Sequence, residues 1–189
     1  YHLDRIIRCL AVDERHFASA INIIVQLAQF DSRFIDTAVY ILLPWYPQTQ
    51  ASITKRIAII RSLATTNEEI IWGILMKLMP GKTTSSISLE KPEFMEELEL
   101  PEKTSNADFV KASMEYINVA ISLLANSVQR IVEIIGIISH VSFDIQNQIV
   151  EAIIKNTLDL SLPEKEIVWN RIREIVQEHR RFSNADWAL

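Results

Sequence analysis

Glycine is nearly missing from this chain: 3 of 189 residues. That scarcity argues against a sheet-rich fold built on glycine turns and against glycine phosphate loops. Gly81-Lys82-Thr83 lacks the preceding glycine and strand of a Walker-type loop. Cysteine is represented by Cys9 alone. An intramolecular disulfide and a cysteine-based zinc site are thereby excluded, and the chain fits a reducing, cytoplasmic setting. Cys9 itself reads as a small buried hydrophobe. Long apolar runs are also missing. The best candidate, 131–141, carries Glu133 and His140, follows Arg130, and is well short of the ~20 apolar residues a membrane span needs.

A surplus of positive charge is the remaining absence. The net charge is -5, and all of it sits in one place. Between Ser88 and Asp108 the acids Glu90, Glu93, Glu96, Glu97, Glu99, Glu102 and Asp108 face only Lys91 and Lys103. The rest of the chain is neutral. A neutral body with one acidic connector does not attract phosphate backbones, so nucleic acid is not an expected partner.

What is present is an apolar supply of 49 %, enough for a sizeable core, arranged at helical spacing. A first helix covers Leu3 to Ala11. Asp13 caps a second, with Phe17, Ala20, Ile21 and Ile24 on one face. Asp31-Ser32 restarts the chain into a third helix that Pro44 stops. Thr49 or Ser52 caps a fourth, with Ile53, Ile57, Ile60 and Leu63 as its apolar face and Lys55, Arg56 and Arg61 off that stripe. Asn67 recaps, Glu68 and Glu69 favour the helix N-terminus, and Pro80-Gly81 closes the pair. After the acidic stretch, Asn106 caps a helix through Leu124. Ser127 opens another that continues to His140, Ser142 opens the next, and Pro163 lies in the first turn of a long last helix.

About nine helices joined by short turns predict an all-α fold of stacked antiparallel hairpins, an α-α superhelix of the HEAT or TPR kind. A single irregular bundle is the alternative. The expected organisation is hairpins over 1–80, an acidic, proline-containing linker or strap over 81–104, and hairpins over 105–189, forming one continuous helical domain. The start at Tyr1 and the end at Trp187-Ala188-Leu189 read as cuts within a larger protein.

Candidates for chemistry are few. Asp13 and His16 share a spacing that places two metal ligands on one helix face, but a di-metal bundle needs a second copy of the motif. A capping Asp beside a surface His is the simpler reading. His140 reads as a dipole partner at a helix end and His179 as a packed core histidine. No catalytic residue, cofactor or metal site is expected. Two clusters stand out instead. Leu43-Pro44-Trp45-Tyr46-Pro47-Gln48-Thr49 forms the corner between two helices. Trp45, Tyr46, Pro47, Gln48 and Thr49 there either bind a partner or, the favoured reading, fix the angle of the hairpin. Near the end, Arg180, Arg181, Phe182 and Trp187 either pack back on the last hairpin or dock a neighbouring domain.

These clusters carry a resemblance. The stretch 43–49, then Ala51, Arg56, Trp72 and Leu78-Met79-Pro80, resembles a helical region of very large bacterial STAND-type NTPases, several of which serve in antiviral defence. So does the close at His179-Arg180-Arg181-Phe182 and Ala185-Asp186-Trp187-Ala188-Leu189. The resemblance implies an all-α, repeat-like region following the NTPase core, used for sensing, autoinhibition or assembly. It implies partners that are proteins or neighbouring domains of the same chain. None of that family's catalytic residues falls here. The chain departs from the family after Pro80, where a basic, Trp-containing stretch is expected and Lys91-Pro92-Glu93-Phe94 leads into acids instead. A stand-alone helical adaptor for one protein partner is the alternative, and a helical-bundle metalloenzyme resting on Asp13 and His16 the remote one.

Overall fold

The structure, a computed structural model, describes residues 2–44, 49–81 and 105–181. Among them all regular structure is helical. In chain order the helices are α1 (His2–Val12), α2 (Glu14–Ala28), α3 (Arg33–Leu42), α4 (Ile53–Ala64), α5 (Glu68–Leu78), α6 (Asn106–Ser122), α7 (Val128–Ile135), α8 (Phe143–Thr157) and α9 (Leu162–Arg181), with one turn of 3-10 helix at Ile138–His140. The all-α expectation holds. The acidic stretch 82–104 lies outside the described residues. The chain divides into two compact units between Val119 and Ala120, inside the last turn of α6.

In the first unit each helix packs on its sequence neighbour or on the next but one. α1, α3 and α5 form one layer, and α2 and α4 lie against it. The apolar stripes meet inside: Phe17, Ile21, Ile24, Ile41, Leu42, Ile60, Ile71, Ile74 and Leu75 are fully buried. Ion pairs lace the surface, with Lys77 on Asp36 joining α5 to α3 and Arg61 on Glu115 joining α4 to α6. In the second unit α7 packs against both α8 and α9. Its Ile131, Ile134 and Ile135 meet a core that includes Ile145 and Ile149 from α8 and Val168 and Ile175 from α9.

The helix starts repeat a device that the sequence reading saw only once. Asp13 precedes α2, and its carboxylate accepts from the Arg15 backbone N–H at 2.8 Å. It also takes Nε of the Arg15 side chain at 3.0 Å and a terminal guanidinium nitrogen at 2.6 Å. Asp31 does the same before α3: the Arg33 N–H donates at 3.0 Å, Nε at 2.9 Å and the terminal nitrogen at 2.6 Å. The Asp-x-Arg spacing satisfies an orphan N–H of the first turn and neutralises the cap with its own arginine. Ser52 and Ser127 cap α4 and α7 through their hydroxyls, as read from the sequence.

Other starts differ. Ser105, not Asn106, accepts the Asp108 N–H and opens α6. Neither Asn67 nor Ser142 makes a side-chain cap bond. Ser161 opens α9 with both of its donors on Glu164, whose carboxylate takes the Ser161 N–H at 2.8 Å and its hydroxyl at 2.6 Å. The helix expected from Ser127 to His140 stops at Ile135, where the Gly136 N–H turns to the carbonyls of Val132 and Glu133. Cys9 is half-buried rather than enclosed.

The Asp13 cap has a pH signature. Hydrogen bonds from the Arg15 side chain, then from its backbone, lower the carboxyl from 3.8 to about 2. A depressed folded-state pKa stabilises the fold in full above an unfolded value of about 4 and loses that contribution as pH falls through about 2. Melting temperatures measured across this window should drop more for the wild type than for Asp13→Asn. Parallel curves would refute the assignment.

Candidate functional site

The corner between α3 and α4 is assembled from both sides by side chains of other elements. α3 ends at Leu42, and Leu43 turns out of the helix with φ -47° and ψ 124°. Pro44, which has no N–H and disfavours helix at the residue before it, follows and is buried. On the far side Thr49 is wholly buried. Its hydroxyl accepts from the Ala51 N–H at 3.3 Å. The Gln50 N–H donates to the Val12 carbonyl at 2.8 Å, tying the corner to the end of α1. Trp45, Tyr46, Pro47 and Gln48 lie outside the described residues, so of the five corner candidates the structure places Thr49 alone.

Arg56 organises what is described. The sequence reading set it off the apolar stripe of α4, facing outward with Lys55 and Arg61. Instead it is 4 % exposed. Its guanidinium folds back over the N-terminus of α4 and donates to the carbonyls of Ala51 at 2.9 Å, Thr49 at 3.1 Å and Leu43 at 3.3 Å, and to the Thr49 hydroxyl at 3.3 Å. Among the described residues no carboxylate pairs with it. The charge is held by backbone dipoles, and the planar fork of arginine reaches three carbonyls at once where an ammonium could not. Arg56 is drawn inward because buried carbonyls of a non-helical turn are costly to leave unpaired, and its guanidinium pairs three of them.

Tyr116 completes the corner. It comes from α6, is 2 % exposed, and its hydroxyl donates to the Leu42 carbonyl at 3.0 Å. The last two carbonyls before Pro44, those of Leu42 and Leu43, are therefore capped by two different helices. Burial pushes the Tyr116 phenol up to about 12, with attraction to Arg56 working the other way. Burial lowers Arg56 from its ordinary value, again with Tyr116 opposing. At neutral pH the pair is a cation and a neutral donor, both giving hydrogen bonds to backbone. Such a pair has no free lone pair or abstractable proton aimed at solvent, so its chemistry is structural.

Elsewhere the sequence candidates separate. Trp72, Leu78 and Met79 are buried in the first unit. Arg180 and Arg181 are exposed in the last turn of α9, where cations favour the helix dipole. Phe182 and Trp187 lie outside the described residues. His179 is 7 % exposed, on the same face of α9 as Val168 and Ile175. Asp13 is committed to Arg15 while His16 is exposed, and among the described residues no three His, Cys, Asp or Glu side chains gather to hold a metal. Arg130 was missed by the sequence reading as Arg56 was: it is 6 % exposed and donates to the Leu123 carbonyl, at the end of α6. The signal in both cases is an arginine at the third or fourth helix position, just after a helix break, where the side chain can turn back over the break. Among the described residues no helix is long and apolar enough to cross a membrane.

No protein-family model, curated protein or solved structure matches the chain.

If Arg56 and Tyr116 carry the corner, their loss is measurable. Arg56→Ala should cost about 3 kcal/mol in urea unfolding, since several buried carbonyls lose a charged donor. Arg56→Lys should recover only a minor part, because one ammonium cannot span the same carbonyls. Tyr116→Phe should cost about 1 kcal/mol, for one hydrogen bond with the ring's packing kept. An Arg56→Ala change within about 0.5 kcal/mol of wild type, the range of ordinary surface substitutions, would mean that the corner holds without it.

Proposed function

We propose that this chain is a non-catalytic α-helical sensor or scaffold region of a larger bacterial STAND-like signalling NTPase, acting through protein–protein or interdomain contacts. The supporting observation is where the residues of the resemblance go. Thr49, Ala51, Arg56, Trp72, Leu78 and Met79 are all buried in the first unit. Thr49, Ala51 and Arg56 build a fixed corner, Trp72, Leu78 and Met79 are packed in the core, and the six present no reactive group. A region conserving a shape in this way suits a part that transmits or holds a conformation, whose bistable or docking surface lies outside the corner.

The test is made in the parent protein. Deleting this region should either abolish triggered nucleotide hydrolysis or release it from the trigger. Hydrolysis that keeps both its rate and its trigger dependence would end the reading.

The adaptor reading draws on a different observation, the large apolar side chains left at the surface, Trp169 at 59 % exposed among them. Under it, Trp169→Ser would abolish capture of one protein partner while leaving thermal stability unchanged.

A further inference from the structure

α8 is apolar on two faces. Ile145, Ile149 and Ile153 face the core of the second unit and are buried. On another side Phe143 is 72 % exposed, Val150 42 %, Ile154 57 % and Leu158, just past the helix, 67 %. At about 100° per residue these four project within an arc of about 80°. At about 1.5 Å per residue they run for about 22 Å. Single apolar residues on a surface need no explanation, but four along one arc of a helix, interrupted there by Asn147 alone, do. A helix with two apolar faces is patterned for burial on two sides.

The charges beside the stripe say what fits it. Asp144 lies near its N-terminal end and Lys155 near its C-terminal end. By helical periodicity both sit on the same flank, within about 20° of each other. Both are exposed, and among the described residues neither makes a salt bridge. Consider two α8 helices laid antiparallel, stripe to stripe, about a two-fold axis near Val150. Phe143 of each copy then meets Leu158 of the other, Ile154 meets Asn147, and Val150 meets its own copy. In that same register Asp144 of each copy comes beside Lys155 of the other, twice, because same-flank residues face one another in an antiparallel pair. In a parallel pairing the two copies of this flank lie on opposite sides of the interface, so Asp144 and Lys155 of one copy do not meet those of the other. Glu151, exposed on the same flank, meets its own copy near the axis, so this register sets two opposite-charge contacts against one like-charge contact, and the arrangement is self-complementary, as an isologous interface must be.

We propose that the outer face of α8 is the surface through which two copies of this chain pair, antiparallel, about a two-fold axis passing near Val150. The pairing does not depend on the NTPase reading. Charged flanks set register and partner while the stripe supplies the buried area.

Sedimentation equilibrium on the 189-residue chain, from low to high micromolar concentration with a reductant present so that Cys9 cannot cross-link, tests it. Wild type should show a monomer–dimer equilibrium. Ile154→Glu, which puts two charges into the apolar stripe of the pair, should be monomeric throughout. Asp144→Lys should raise the dissociation constant about tenfold, as two attractive contacts become repulsive. Adding Lys155→Asp to it should bring the constant back, since the charges are then exchanged and again opposite. All substituted positions are exposed, so circular dichroism should be unchanged. A wild type that stays monomeric, a dimer that survives Ile154→Glu, or a charge-swapped double variant no tighter than Asp144→Lys would each overturn the proposal.

Discussion

The first unit depends on a buried cation that has no anion beside it among the described residues. A guanidinium taken out of water is costly, and such a charge ordinarily requires a carboxylate partner or shifts its protonation. No described carboxylate lies beside Arg56, and arginine cannot release its proton at any ordinary pH. It is retained because the chain has a matching debt. α3 ends at Leu42 and α4 starts at Ile53, and between them the carbonyls of Leu43, Thr49 and Ala51 turn toward Arg56. Three carbonyl dipoles and a hydroxyl aimed at one planar fork satisfy both sides. The cation and the turn each make the other tolerable, so neither can be altered alone.

That dependence spreads through packing. The carbonyls that Arg56 and Tyr116 hold belong to the end of α3, the helix that contacts α1, α2 and α5. The Gln50 N–H fixes the same turn to the end of α1. Loosening the corner therefore frees the end of the helix at the centre of the layered unit, not a peripheral loop. Tyr116 extends this to α6, which follows the acidic stretch in sequence but has its phenol on Leu42. A polar network of this kind rigidifies when every member is satisfied, and here the described members are.

How much of this was legible beforehand divides along one line. The 3.6-residue period marks which positions of a helix are apolar, and it found Phe17, Ile21, Ile24, Ile57, Ile60, Ile71 and Leu75 correctly, along with the stop at Pro44 and the caps Asp13, Ser52 and Ser127. Periodicity takes every charged residue as outward, so it misplaced Arg56 and did not single out Arg130. Each is buried through its own hydrogen bonds to carbonyls of the preceding break, and carbonyls carry no sequence signature. Caps failed for a similar reason. Asn106 and Ser105 are adjacent and both able to cap, and only backbone geometry decides that Ser105 takes the Asp108 N–H. The corner was legible as a place, from two prolines and two large aromatics close together. Its mechanism was not, because the residues that hold it lie outside that stretch, Arg56 inside α4 and Tyr116 in α6.

Buried polar groups are matched at the corner, a cation to carbonyls and a phenol to a helix end. Large apolar groups are nevertheless left outside in both units, Phe30 in the first and the outer face of α8 in the second. Phe143, Val150, Ile154 and Leu158 on α8 add nothing to the burial that Ile145, Ile149 and Ile153 already provide. Leaving them in water forgoes stabilisation of about 25 cal/mol for each Å² of apolar surface they could bury. Contacts among the described residues do not recover that free energy, and an association would. The charges flanking the stripe then decide among associations. Asp144 and Lys155 stand at opposite ends of one flank, so a surface that complements this one must carry a cation where this carries an anion, in reversed order. α8 itself, turned end for end, is such a surface.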